Sequence, residues 1–340
     1  MKSLYPLLLW VVCIVFACDQ PLSTSSETSE PIKESTVPTP DHTLTSNNTH
    51  NKFSADIPPI LTVKSGAVIE AYTKDASDNQ FDKNSTLADL DSLDFEPIHP
   101  LTGPVFVQTA MPGDILKVTI HEVELGDWGW NAVIPGFGFL ADSFPDMKYL
   151  RIYEFTPDTR HVDFTDEIDV PLNPFPGVLG VAPPTTEMLS TIPPRANGGN
   201  MDDPNLTEGT VVYLPVFVEG ALLSIGDGHA AQGHGEVCGT AIEVPLRVIY
   251  EVEVLKGRSI SEPQYETEEV YATTGFATTT DEAARKATMY MVRHLESQHG
   301  LSTEEAYVLC SLAGDLLLSE VVDVPHMLAT MHMPKAVIGE

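Results

Sequence analysis

Positive charge is scarce in this sequence. Eighteen Lys and Arg stand against 49 Asp and Glu over 340 residues, a formal charge of −31. A nucleic acid needs Lys and Arg to neutralise its phosphates, and an anionic lipid surface needs the same, so the composition excludes both as electrostatic partners. It leaves a solvated acidic surface, or acidic groups that gather cations. Cysteine is equally sparse: of the four, Cys13 and Cys18 are N-terminal and only Cys238 and Cys310 fall in the folded part. That is no disulfide framework, and a single Cys238–Cys310 bridge is the one pairing left open. Internal repeats and coiled-coil heptads are missing, and beyond Phe16 no apolar run is long enough to span a bilayer.

The N-terminus breaks this pattern. Lys2 precedes the apolar run Leu4 to Phe16, which is too short for a comfortable span and ends in Val15-Phe16-Ala17-Cys18. Residues 1–17 therefore read as an export signal. The small residue before Cys18 resembles a bacterial lipobox, which makes Cys18 the lipidation site of an exported lipoprotein facing the periplasm or cell surface. Phe16 is an unusual occupant of its position, and an ordinary secretory signal is the alternative. Residues 18–52 are rich in Ser, Thr, Pro and Asn. Such a stretch cannot bury enough apolar surface to offset its ordering entropy, so a disordered tether is expected, followed by one folded domain over 53–340.

Within that domain, short β patterns alternate with turn chemistry. Ala67 to Tyr72, Val105 to Val107 and Ile115 to Val123 read as strands, the last with Ile115, Val118 and Ile120 facing inward. Val211 to Val218 carries Pro215, which predicts an edge or a bulge. Ala241 to Leu255 is a long β stretch interrupted by Pro245. The pattern predicts a mainly β, sandwich-like architecture. The C-terminal part is α+β: Thr279 opens a helix through about Glu296, Ser302 opens a second, and Leu316 to Val324 returns to strand. On the second helix Ala306, Leu309, Cys310 and Ala313 share a face, which makes Cys310 a core residue.

The chemistry concentrates in Gly226-Asp-Gly-His-Ala-Ala-Gln-Gly-His-Gly-Glu-Val-Cys-Gly-Thr240, where an Asp, two His, a Glu and a Cys lie among five glycines. Four further blocks accompany it: HPLTGPV from His99, PFPGVLGVAP from Pro174, GGNMD from Gly198 and LPV from Leu214. Taken in order, these blocks closely resemble the acetamidase/formamidase family of amide hydrolases, and the resemblance runs from about Ile60 to the Met333-Pro334-Lys335 tail. It implies a mainly β fold with a smaller helical part, and hydrolysis of short aliphatic amides to carboxylate and ammonia. Two features depart from it: His234 stands where members typically carry an acidic residue, and many members are cytoplasmic.

Amide hydrolysis needs an activated nucleophile, a stabilised oxyanion and a proton for the departing nitrogen. The chain has no Gly-x-Ser-x-Gly elbow and no Ser/Gly-rich block with a neighbouring Lys, so a water activated by a divalent cation is the simplest source. The candidate ligands are Asp202, Asp227 and His229, with His99 and Glu236 as additions. Mixed carboxylate and imidazole ligation suits zinc first, or manganese; a carboxylate-dominated set suits calcium or magnesium. Glu236 is the expected general base. His229 and Asn200 complete the expected catalytic set, and Gln232 and Gly228 are expected to contact substrate. Each also has a plainer reading: Asp227, Asn200 and Asp202 as turn residues bonded to their own backbone, His99 and His229 as buried structural histidines, and Glu236 as the partner of a nearby cation.

The rival mechanism is a Cys238 thiolate forming an acyl-enzyme, with Glu236 two residues away on one strand face. A catalytically silent small-ligand-binding protein is the alternative of a different class. Trp128 to Phe139 is expected to wall a small pocket or a subunit interface, in a homo-oligomer, and Arg195 to touch substrate or pair with local acids.

Overall fold

The computed structural model describes residues 37–339. Signal residues 1–17, Cys18 and the tether as far as residue 36 lie outside them. The rest of the expected tether is folded. His42–Leu44 pairs in parallel with Ala67–Tyr72, Thr49–His50 pairs with Leu101–Val107, and Lys52–Phe53 pairs with Leu189–Ser190. Polar composition misled here because these short strands borrow backbone partners from sheets already built, and only Leu44 and Phe53 need bury large apolar side chains.

Two sheets carry the architecture. A nine-stranded sheet runs in the order 42–44, 67–72, 246–255, 115–125, 211–215, 264–266, 270–277, 327–334, 315–320. A six-stranded sheet centres on Ala221–His229, flanked by Phe175–Gly180 and Leu101–Val107, with Gly198–Asn200 beyond the former. One continuous core draws on both sheets, including Val118, Ile120 and Val248 from the first and Val105, Leu179 and Leu223 from the second. The mainly β, sandwich-like expectation is met.

Along Ile115–Leu125, Leu116, Val118 and Ile120 are buried while Lys117, Thr119 and His121 are half-exposed, the alternation of a strand with one solvated face. Ala221–His229 is buried at all nine positions, so it shows no such alternation. Val211–Pro215 corrects the edge expectation: it lies inside the large sheet between Ile115–Leu125 and Gln264–Glu266. Pro215 is its last residue, so the missing N–H falls at the end of the ladder. The β stretch predicted over 241–255 begins only at Leu246, after Pro245.

Two helices cover the C-terminal end of the large sheet. α1 (Thr280–His299) is capped by Thr279, and α2 (Thr303–Ala313) opens with a Ser302–Glu305 capping box. Their buried faces, including Ala283, Ala287, Met291 and Cys310, meet Ala329, Met331 and Met333. Gly275 lets α1 approach this closely, since a Cβ there would lie 2.2 Å from the Ala283 carbonyl. Cys238 and Cys310 are both free.

Candidate active site

Three neighbouring strands deliver the site. Asp227 and His229 are two apart on the buried strand Ala221–His229, so both side chains leave its same face. Asn200 ends the strand Gly198–Asn200, and Asp202 follows two residues later with its backbone N donating to Gly177 O. Gly177, on the strand between them, is the floor. A Cβ there would stand 2.5 Å from Asp202 Oδ1 and 2.7 Å from His229 Cε1. Only glycine leaves space for these side chains to converge.

Glu236 enters from the glycine-rich loop, and His99 from the segment before Leu101–Val107. Asp202, Asp227 and Glu236 all adopt left-handed backbone angles, φ 43°, 53° and 46°. Such angles are costly for residues with a Cβ and collect where a site demands a particular aim.

Two residues absent from the sequence expectation complete the cluster. Glu243 follows the loop in an irregular segment tied to Trp130 by paired backbone hydrogen bonds. Its Oε1 accepts from Ala241 N, and its Oε2 lies 3.2 Å from His229 Nε2. Asp323, in the turn after Asp315–Glu320, accepts a hydrogen bond from Asn200 Nδ2. The run Ala241-Ile242-Glu243-Val244 reads as a buried apolar strand, and the buried charge inside it was the signal to follow. Nothing in the sequence near Asp323 offers such a signal.

The geometry reassigns two expected substrate contacts. Gln232 Nε2 donates to the Asp202 carbonyl at 2.6 Å, so its Oε1 faces His229 Nδ1 at 2.8 Å. The hydrogen-bond network thereby puts a proton on Nδ1 and turns Nε2 towards Asp227 and Glu243. Gln232 orients His229. Gly228 is a packing residue, because a Cβ there would lie 2.3 Å from the Val244 carbonyl.

Five buried carboxylates, those of Asp202, Asp227, Glu236, Glu243 and Asp323, converge on two imidazoles, His99 and His229. Burial, reinforced by neighbouring anions, pushes Asp202 and Glu236 well above the ordinary carboxylate range and raises Glu243 and Asp323 to about 7. Asp227 is the exception. Burial would raise it too, but His99 and His229 beside it outweigh that effect and hold it at about 2. Burial lowers His99; at His229, Glu243 and Asp227 overcome burial and raise it well above the usual value.

Both Asp202 oxygens, Asp227 Oδ1, Glu243 Oε2, His99 Nδ1 and Asn200 Oδ1 are buried without a hydrogen-bond partner. Buried polar atoms are ordinarily satisfied. An anion-rich pocket of orphaned oxygens and imidazole nitrogens fits a divalent cation. Two ligand triads present themselves, Asp227–His229–Glu243 and Asp202–His229–Glu236, with the ligating atoms of each within 4.8 Å of one another.

The cluster forms one side of a cavity of about 40 Å³, and the other side is apolar and aromatic, with Trp130, Ile134 and Phe137 among its residues. Trp128 to Phe139 thus walls the pocket. A much larger groove of about 670 Å³ lies between the helices and the edge strand, and none of the cluster lines it.

Cys238 lies outside the cavity lining. Residues 236–239 form a turn in place of a strand, and the Cys238 sulfur faces Thr240 O at 3.2 Å, so the pair geometry expected of an acyl-enzyme is absent. His234 is exposed, and Arg195 donates to the carbonyls of Ser190 and Pro193.

The family model described as the Acetamidase/Formamidase family matches residues 38–190 and 185–340. An acetamidase of Mycolicibacterium smegmatis is 32% identical over 280 residues, covering 61% of this chain and 66% of its own length. The chain therefore spans just under two thirds of that relative. A formamidase of Methylophilus methylotrophus is 28% identical over 368 aligned residues, covering 84% of this chain and 88% of its own. The crystal structure of an acetamidase from Bacillus halodurans superposes with a TM-score of 0.81 at 34% identity, over 87% of this chain and 98% of that one.

Proposed function

This chain belongs to the acetamidase/formamidase family, and on that premise we propose that it hydrolyses small linear amides, of the formamide and acetamide kind, to carboxylate and ammonia. The observation that carries the proposal is the buried carboxylate–imidazole cluster, with its orphaned oxygens, on one side of a small cavity. A module that merely held a neutral ligand would have no use for five carboxylates at such cost in desolvation.

Asp202, Asp227, His229 and Glu243 would hold a divalent cation, which when bound lowers the pKa of water and polarises a carbonyl. The imidazole in this set favours zinc or manganese, and its three carboxylates also admit calcium or magnesium. The remaining steps belong to the chain. Glu236 takes the proton as water oxygen bonds to the amide carbon, and returns it to the nitrogen as the C–N bond breaks. Burial, reinforced by the neighbouring anions, raises its pKa, the direction that favours returning the proton. Gln232 keeps His229 in one tautomer and orientation. Asn200, its Nδ2 held by Asp323, presents Oδ1 as an acceptor for a substrate N–H.

Ammonia release from formamide and acetamide by the purified full chain is the direct test, combined with elemental analysis and turnover before and after chelation. Absence of ammonia in metal-replete protein would leave the binding-protein reading in its place. Loss of turnover on thiol alkylation, with no effect of chelators, would restore Cys238. We also propose export as a lipoprotein acylated at Cys18; Cys18→Ser should release the protein from the membrane fraction, and unchanged fractionation overturns it. Assembly as a homo-oligomer is proposed on the same footing, with light scattering as its check.

A further inference from the structure

The acidic side of the cavity accounts for bond cleavage but not for which amides are admitted. The carbonyl and nitrogen of a bound amide must face the carboxylates, His229 and Asn200, so its acyl substituent is left to the apolar side. That side is closed by two aromatic rings from separate segments. Phe95 follows the short helix Leu87–Ser92, and Phe137 lies in the turn after the strand Trp128–Val133. Both line the cavity, and they meet edge to face with centroids 5.9 Å apart and an interplanar angle of 65°. Phe95 is 38% exposed, so the pair is the boundary between cavity and solvent.

Phe137 is held by the same loop that supplies Glu236. A Cβ at Gly239 would stand 2.5 Å from the Phe137 ring, and Gly239 has φ +87°. A side chain at 239 would therefore be strained and would displace the ring. Phe139 N donates to Val237 O at 2.9 Å, pinning the aromatic segment to the loop. Gly138 packs as tightly: a Cβ there would lie 2.7 Å from the Cys238 carbonyl. The glycine that follows Glu236 by three residues thus has a spatial reason, which is to let Phe137 lie against the loop.

The cavity measures about 40 Å³. Such a space is large enough for a small polar ligand, being beyond the minimum for a single water. We propose that the Phe95–Phe137 pair sets the upper limit on acyl size, with Gly239 as the positioning residue that seats Phe137. The inference rests on the amide-hydrolase reading above. The rings exclude propionamide and longer homologues by occupying the volume a third acyl carbon would need.

The test is a panel of formamide, acetamide, propionamide and butyramide, assayed with the full metal-replete chain as wild type, Phe95→Ala, Phe137→Leu and Phe137→Ala. The wild type should favour acetamide over butyramide steeply. In Phe137→Ala the butyramide-to-acetamide ratio of kcat/KM should rise by roughly tenfold or more, the discrimination a tight apolar pocket makes per methylene. Phe137→Leu should fall between, and Phe95→Ala should move in the same direction. Because Phe95 is a boundary residue, its variant remains informative even where Phe137→Ala does not fold. A wild type that hydrolyses acetamide, with ratios unchanged in every folded variant, overturns the size limit alone. So does a wild type that takes butyramide as well as acetamide. A wild type inactive on the whole panel overturns the amidase reading, and the size limit with it.

Discussion

His229 is the residue on which the site turns, because it belongs to both ligand triads and its ring is oriented by Gln232. Asp227→Ala and His229→Ala should purify with less metal and lose turnover together, as elemental analysis and ammonia assay will show. Glu236→Gln should separate the two, keeping bound metal while kcat falls about 10²–10⁴-fold, the usual contribution of a positioned base. Equal metal loss in Glu236→Gln would make Glu236 a ligand. Gln232→Ala removes only the partner of Nδ1, so metal affinity should drop about 10–100-fold, as for other outer-shell partners of metal-binding histidines. Titration with a competing chelator measures it, and unchanged affinity would deny Gln232 the orienting role.

At this scale Asp202, Asp227, His229 and Glu236 were legible in sequence because ionisable side chains among glycines are conspicuous. Glu243 was hidden by apolar neighbours, and Asp323 by lying eighty residues from Glu243, the nearest other member of the cluster.

Among the elements, the segment before residue 53 is the clearest case of composition misleading. Phe53 is buried against Leu101 and Val178, with its ring over Gly199. Phe53→Ala should cost about 3–5 kcal/mol, as for other buried Phe truncations. Urea unfolding would show it, and a change below about 1 kcal/mol would mean that the strand Lys52–Phe53 does not anchor the chain to the core.

α1 supplies a pH-dependent element. His294 lies stacked on Tyr271, ring centroids 3.7 Å apart. Burial, helped by His299 and Arg258 and opposed by Glu266, lowers its pKa to about 4. The unfolded chain takes up this proton near pH 6.5, whereas the folded chain does so only near pH 4. This group's contribution is therefore whole above pH 6.5 and is lost as pH falls from there to 4. His294→Phe keeps the stack and removes the titration, so the fall in Tm between pH 7 and 4 should be shallower than in wild type. Parallel curves would contradict the assignment. The helices themselves were readable from Thr279 and Ser302, since caps are local chemistry. The interior position of Val211–Pro215 was not, since neighbours in a sheet are chosen by the rest of the chain.

For the whole molecule, the dominant feature is the charge of −31. Self-repulsion among surface carboxylates opposes the compact state and is screened by salt over about 10 Å at 0.1 M. Tm should therefore rise between 20 mM and 500 mM NaCl, and a flat or falling Tm would show that local ion pairs outweigh the repulsion. The buried carboxyl groups of the site stand apart from this, since salt screens buried groups much less than surface ones.

By itself the sequence determined the β class, the helix boundaries and the residue types of the site, because periodicity, capping and turn chemistry act over a few residues. It also determined family membership, through motifs that stay recognisable in linear order. Tertiary structure alone decided that Glu243 and Asp323 join the cluster, that Gln232 orients where it was expected to bind, and that Gly177 and Gly239 are needed for the closeness of what crosses them. These depend on which strands lie side by side, and strand adjacency is settled by burial of the whole core.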